Sequence, residues 1–190
     1  SREALLLCEA EGFDVVIVET IGVGQSETAV AEMVDTFVLL VLPGSGDELQ
    51  GVKRGVMELA DLAVVTKADG PQEMLAKRSR AQVASALHFL PPSTPGWKAK
   101  VMTCSSVEGQ GIPEVWEAVL KHREHLETSG LLEERRGRQA AYWLDRALED
   151  GLWERSLAEG DVAARLQSLR EAVREGRRSP EGAAEELLRS

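Results

Sequence analysis

Four short runs constrain the fold more than anything else in the chain. Residues 14–20, 36–42, 62–66 and 100–104 are largely apolar and β-branched, without polar alternation. Strands of this kind are buried on both faces, which suits a parallel sheet covered by helices. Residues 27–34, 48–60, 72–90 and 113–127 carry helical patterns between and after them. Strands alternating with helices predict an α/β fold whose ligand loops lie at the C-terminal ends of the strands. The pattern holds only the later part of such a sheet.

Beyond residue 128 the character changes. Ser129-Gly130 punctuates the chain, and no strand-like run follows. Trp143, Ala147 and Leu148 form one apolar stripe at helical spacing, and Val162, Leu166, Leu169 and Val173 form another. Ser179-Pro180 predicts an N-cap with proline at the first helical position, opening a helix that runs to Leu188. The division expected is an α/β part over 1–128 and a helical extension over 129–190. Thin helices bury little by themselves, so the extension is expected to pack on the first part or on another subunit. Its arginines are interspersed with glutamates, a pattern that reads as a solvated face.

The net charge of -10, from 32 acidic and 22 basic residues, argues against nucleic acid as a partner. No apolar run approaches the roughly 18 residues of a membrane span. Cys8 and Cys104 form no C-x-x-C, so no zinc site or disulfide framework is signalled. The chain opens on Ser1-Arg2-Glu3 without a methionine, and Ala4 to Cys8 already reads as helix interior. A fragment with its N-terminus upstream is the expectation.

Three loops carry chemistry. The first follows the run at 14–20 and reads Glu19-Thr20-Ile21-Gly22-Val23-Gly24. A dinucleotide fingerprint would place a third glycine where Glu27 stands and an acidic residue about 20 positions on, where Leu42-Pro43-Gly44 stands. A Walker-B or switch pattern fits better. Glu19 can organise the shell of a Mg²⁺ ion through water, and the Gly22 amide can meet a γ-phosphate unobstructed. The second loop, Thr66-Lys67-Ala68-Asp69, ends a buried run and matches the N-K-x-D element that selects guanine, with threonine in place of asparagine. Its aspartate can accept from both guanine N–H groups. The third, Cys104-Ser105-Ser106-Val107-Glu108-Gly109, resembles the last guanine-contacting loop of such proteins. No G-x-x-x-x-G-K-[ST] phosphate cradle exists in the sequence. Gly46 to Lys53 comes nearest, but its lysine is one place late and Asp47 and Glu48 would oppose phosphate. His122-x-x-His125 shares a helical face without a third ligand beside it.

The strings VETIGVGQSE at 18–27, PGSGDELQGVKR at 43–54 and VTKADG at 65–70 resemble the methylmalonic aciduria type A family. Its bacterial members are the ArgK/MeaB-type G-protein chaperones of adenosylcobalamin-dependent methylmalonyl-CoA mutase. The resemblance is strong over 1–128. It implies a SIMIBI-class P-loop GTPase that works as a homodimer, gates adenosylcobalamin delivery to the mutase and protects it. This chain would carry the switch and guanine-recognition half. By position, the resemblance places Glu19 and Gly22 in the switch sensing γ-phosphate and Mg²⁺, with Gln25 near enough to orient water. Gly44, Asp47, Glu48, Gln50 and Lys53 fall in a third switch that relays nucleotide state to the mutase. Thr66, Lys67, Asp69, Ser105, Ser106 and Val107 fall on guanine.

The implied cofactors are GTP or GDP with Mg²⁺; adenosylcobalamin enters only through the partner enzyme. A mitochondrial matrix location is implied for a eukaryotic source and a cytoplasmic one for a bacterial source. Two other readings stand beside this one: a non-hydrolysing dimeric interaction module lacking the P-loop, and a dinucleotide-binding enzyme.

Overall fold

In the computed structural model, which describes residues 2–20, 26–44, 54–158 and 160–188, three parallel strands form one sheet in the order β1-β2-β3. These are β1 (Val38–Val41), β2 (Leu62–Val65) and β3 (Lys100–Thr103). Val38 pairs with Leu62 and Leu62 with Lys100, and the register continues in step to Val41, Val65 and Thr103. Helices α1 (Arg2–Ala10) and α2 (Ser26–Ala31) precede the sheet, and α3 (Arg54–Glu58), α4 (Glu73–His88) and α5 (Ile112–Thr128) are threaded through and after it. The helices α6 (Leu131–Ala158), α7 (Gly160–Arg174) and α8 (Pro180–Leu188) follow. Strands, helices and their alternation match the predicted α/β class.

The central strand explains why the unpatterned apolar run was informative. All four β2 residues are buried, because helices cover both of its faces. Val41, Ala63 and Val65 on one face pack with Met57 of α3 and with Ala76 and Val83 of α4. Leu62 and Val64 point the other way, and α5 lies against β2 with Ala118, His122 and Leu126 as its buried stripe. Those three fall four residues apart, one helical face.

One expected strand is absent. Residues 14–20 form no ladder; Val15 is 50% and Ile17 84% exposed. Strand identity needs a neighbouring backbone to take up N–H and C=O groups, and among the described residues β1 pairs only with β2.

The chain divides into two compact units, 1–139 and 140–190, with the division inside α6. In the second unit α7 packs against α8, burying Ala172 and Ala183. Ser179 caps α8 as expected, its Oγ accepting the Gly182 N–H at 3.1 Å.

At the N-terminal ends of the strands the first unit is tied by a buried carboxylate. Asp61 has no exposed surface. Its Oδ2 accepts the Phe37 N–H at 2.9 Å, and its Oδ1 accepts the hydroxyls of Ser93 at 2.8 Å and Thr94 at 2.6 Å. Arg135 reaches both oxygens, at 3.0 and 3.2 Å. The equally buried His122 lies between Thr36 Oγ1 at 2.8 Å and Thr94 Oγ1 at 3.1 Å, with its ring edge-on to Trp97. Trp97 donates its indole N–H to the Asp61 carbonyl at 2.9 Å. Burial alone would raise the Asp61 pKa, but hydrogen bonds from His122 and Arg135 overcome it and hold the carboxyl far below the usual carboxylate range.

Arg135 therefore does not belong to a solvated face, contrary to the expectation for the extension's arginines. Arg135→Ala should destabilise the fold by about 3–5 kcal/mol, because it strands a buried charge. The exposed pair partner Lys121 should cost under about 1 kcal/mol when truncated. Urea unfolding of the two variants checks the contrast. Because the folded-state pKa of Asp61 is depressed, its contribution is present above its ordinary value of 3.8 and is lost as pH falls below it. Urea midpoints taken from pH 6 down to pH 3 should fall less steeply for Asp61→Asn than for the unmodified chain.

Candidate functional site

At the opposite, C-terminal ends of β2 and β3 two loops meet. Thr66 extends the ladder past β2: its N–H donates to the Val41 carbonyl at 2.9 Å, and its Oγ1 donates to the same oxygen at 3.3 Å. Lys67 has φ of 54°, and among the described residues it is the one non-glycine in that region. The turn brings Ala68 N–H onto the Cys104 carbonyl at 3.0 Å, stitching the two loops together. Asp69 then sits extended, half-buried, at the head of a 3₁₀ turn over Gly70–Gln72.

The second loop closes on that aspartate. Ser105 is fully buried, and its Oγ donates to Asp69 Oδ2 at 2.5 Å. The same Oγ accepts the Glu108 N–H at 3.1 Å, and the Ser105 N–H donates to Gln110 O at 2.9 Å. One carboxylate oxygen is thus tied to the neighbouring loop. Ser106 and Val107 stand outside, Val107 at 86% exposed. Burial raises the Cys104 pKa, so the neighbouring thiol stays protonated at neutral pH and is no nucleophile.

The loop depends on Gly111, the left-handed cap of α5 at φ 76°. A Cβ there would lie 2.3 Å from the Thr103 carbonyl oxygen. Gly111 and Gln110 were not singled out in the sequence; a glycine ahead of Ile112-Pro113 is the signal that could have marked a tight helix entry.

Chemically, the rim offers a fixed carboxylate, an exposed lysine stem and a glycine-rich turn. That set suits a flat heterocycle presenting adjacent N–H donors. A family model described as methylmalonyl Co-A mutase-associated GTPase MeaB matches residues 1–161. The chain belongs to the MeaB family.

Its relatives in that family include a putative GTPase of Caulobacter vibrioides, 48% identical over 99% of this chain and 57% of that protein. The GTPase ArgK of Escherichia coli is 43% identical over 95% of the chain and 54% of its own length. The mitochondrial methylmalonic aciduria type A homolog of Mus musculus is 40% identical over the whole chain and 46% of its own length. A crystal structure of LAO/AO transport system kinase superposes with a TM-score of 0.80 at 40% identity, covering 99% of this chain and 60% of that one. The chain thus spans about half the length of the curated relatives it matches.

Within this MeaB-family chain the structure brings Thr66, Lys67, Asp69 and Ser105 together, with Ser106 and Val107 at the rim. Glu19 lies apart, exposed at the end of the unpaired segment and not at the end of a buried strand. Gly44 donates its N–H to the buried Ser79 Oγ of α4 at 2.9 Å. Ser79 carried no sequence signal. Gly22, Gln25, Asp47, Glu48, Gln50 and Lys53 lie outside the described residues. His122 and His125 do not converge on a common ligand: His122 belongs to the Asp61 network and His125 Nε2 faces Pro95 O at 2.9 Å.

The geometry makes a sharp contrast between two glycines of the loop. Gly111→Ala should destabilise by at least about 3 kcal/mol, since strained backbone and a backbone clash add. Gly109, at φ 70° with open space around it, should cost only the left-handed penalty of about 1–2 kcal/mol as alanine. Urea denaturation of both variants measures the difference.

Proposed function

We propose that this chain is the guanine-recognition and switch half of a GTP hydrolase that acts as a chaperone of methylmalonyl-CoA mutase. The observation carrying it is the Ser105–Asp69 contact, which ties the carboxylate of a T-K-x-D turn to the small-residue loop after the next strand. Asp69 accepts from the guanine N–H groups, the Lys67 stem lies along the base, Thr66 ties the turn to β1, and Ser105, Ser106 and Val107 line the far edge. Family membership and relatives named as GTPases support the reading.

The remaining roles follow by position. Glu19 and Gly22 sense γ-phosphate, and Gln25 orients water. One carboxylate suits an outer-shell place on a Mg²⁺ ion held mainly by the nucleotide's phosphates. Gly44, Asp47, Glu48, Gln50 and Lys53 relay nucleotide state to the mutase, which itself holds adenosylcobalamin. Residues 1–128 form the later part of a GTPase domain, and 129–190 serve as a dimerisation element. Leu144 and Leu148 support that last role, one helical turn apart on α6 and 60% and 54% exposed. The compartment is the mitochondrial matrix in a eukaryote and the cytoplasm in a bacterium.

Titrating GTP into the 190-residue chain should give at best weak binding and no turnover, because Asp69 can hold the base while no cradle holds the phosphates. Robust Mg²⁺-dependent hydrolysis by this chain would remove that division of labour. In the protein at the full length of its relatives, Asp69→Ala should cost on the order of 2–4 kcal/mol of preference for GDP over ADP. An unchanged preference, read by competition binding, would sink the guanine assignment. Leu144→Arg with Leu148→Arg should turn a dimer into a monomer in light scattering, and a dimer that survives both would refute the role of α6.

A further inference from the structure

Helix α4 buries Ala76, Ser79 and Val83 along one side, and Ser79 is the polar member of that stripe. A hydroxyl in such a place is costly unless it is hydrogen-bonded. Its Oγ accepts the Gly44 N–H at 2.9 Å. Gly44 has φ of 79°, and a Cβ on it would lie 3.0 Å from Cδ2 of Leu75. Leu75 stands one helical turn before Ser79, on the same side of α4. The chain leaving β1 therefore crosses α4 at a distance and torsion that suit glycine.

The same helix grows out of the T-K-x-D turn. The Asp69 carbonyl accepts the Gln72 N–H at 3.0 Å, and the Gly70 carbonyl accepts the Glu73 N–H, so the 3₁₀ turn runs straight into α4. On the near side of Asp69, Thr66 is bonded through N–H and Oγ1 to the Val41 carbonyl. Residues 41–44 are thus held at both ends by one segment, Val41 by Thr66 and Gly44 by Ser79. Asp69 lies between the two ties, inside a closed ring.

We propose that Ser79 is a positioning residue for base recognition, fixing Asp69 through the first turns of α4. This role rests on the reading that Asp69 accepts from guanine. Ser105 ties one carboxylate oxygen, but the backbone carrying the carboxylate is set by the two ends of its segment. The far end is α4, whose Ala76 and Val83 meet Ala63 and Val65 through apolar contacts that have no preferred direction. A hydrogen bond does have a preferred length and angle. Arg80 supplies one from the exposed side, Nε to the Val101 carbonyl at 3.2 Å; Ser79 supplies the one from the buried stripe. A carboxylate that must meet two adjacent N–H donors tolerates little displacement, because a small shift misplaces one of the two bonds.

The test uses the protein at the full length of its relatives and competition binding of GDP against inosine diphosphate, which lacks the 2-amino group. The unmodified protein should prefer GDP, and Asp69→Ala should bring the ratio of affinities close to one. Ser79→Ala should lower that ratio at least about five-fold, a good part of one charge-assisted hydrogen bond, with the loss falling on GDP. Gly44→Ala, which disturbs the same contact from the other side, should lower it as well. Val83→Ala truncates the same stripe without removing a polar group; it should lower the urea midpoint and leave the ratio unchanged. An unchanged ratio in Ser79→Ala overturns the inference, as does equal weakening of both nucleotides. A drop in Val83→Ala as large as in Ser79→Ala also overturns it, since general loosening of α4 would then suffice. A preference for GDP that survives Asp69→Ala overturns the guanine reading itself.

Discussion

A carboxylate that cannot reach water organises the first unit. Asp61 precedes the central strand and holds the Phe37 amide ahead of β1, the 93–94 hydroxyls of the segment leading to β3, His122 of α5 and Arg135 of α6. A buried charge of this kind is costly unless every lone pair is satisfied, and here the partners come from four places in the chain. The cost of leaving it unsatisfied is what fixes those four places relative to one another. Nonpolar contacts set how much the sheet buries; this group sets which elements meet at its lower edge. With that end pinned, the loops at the upper end are free to specialise.

The loops that carry Asp69 and Ser105 lie at the carboxyl ends of the strands, where ligands of open α/β sheets usually bind. Each upper loop borrows its order from its neighbour. Ala68 leans on the Cys104 carbonyl, Cys104 on the Val65 carbonyl, and Asp69 on Ser105. The aspartate's aim therefore depends on a serine 36 positions away and, through the tight entry to α5, on Gly111. Binding groups held by packed secondary structure stay oriented before a ligand arrives, which lowers the ordering cost of binding.

Burial of β2 was legible in the sequence because a short, β-branched apolar run bounded by polar residues suits a strand covered on both faces. The T-K-x-D turn was legible because its side chains are chemically particular, and its partner loop because it follows the next strand in order. Residues 14–20 misled for a physical reason: their side chains have the right character, but a strand is made by the backbone beside it. Asp61 and Arg135 were invisible because each looks like an ordinary surface charge, and only long-range proximity of residues 74 apart makes them a pair. The same holds for Ser79, whose meaning comes from the Gly44 amide 35 positions upstream. Local pattern carries periodicity and special backbone; it does not carry polar contacts between distant segments.

Lys67 shows where such a fold keeps its tension. A lysine at φ 54° occupies backbone that glycine would take without steric conflict. The strain is stored at the rim, balanced by the bonds that flank it on either side. A search for heat-tolerant variants would find this position early, since relaxing it raises stability without disturbing the core. Such a variant would also lose the exposed cationic stem two residues ahead of Asp69, so resistance to heat and the charge at the rim are set against each other at a single torsion angle.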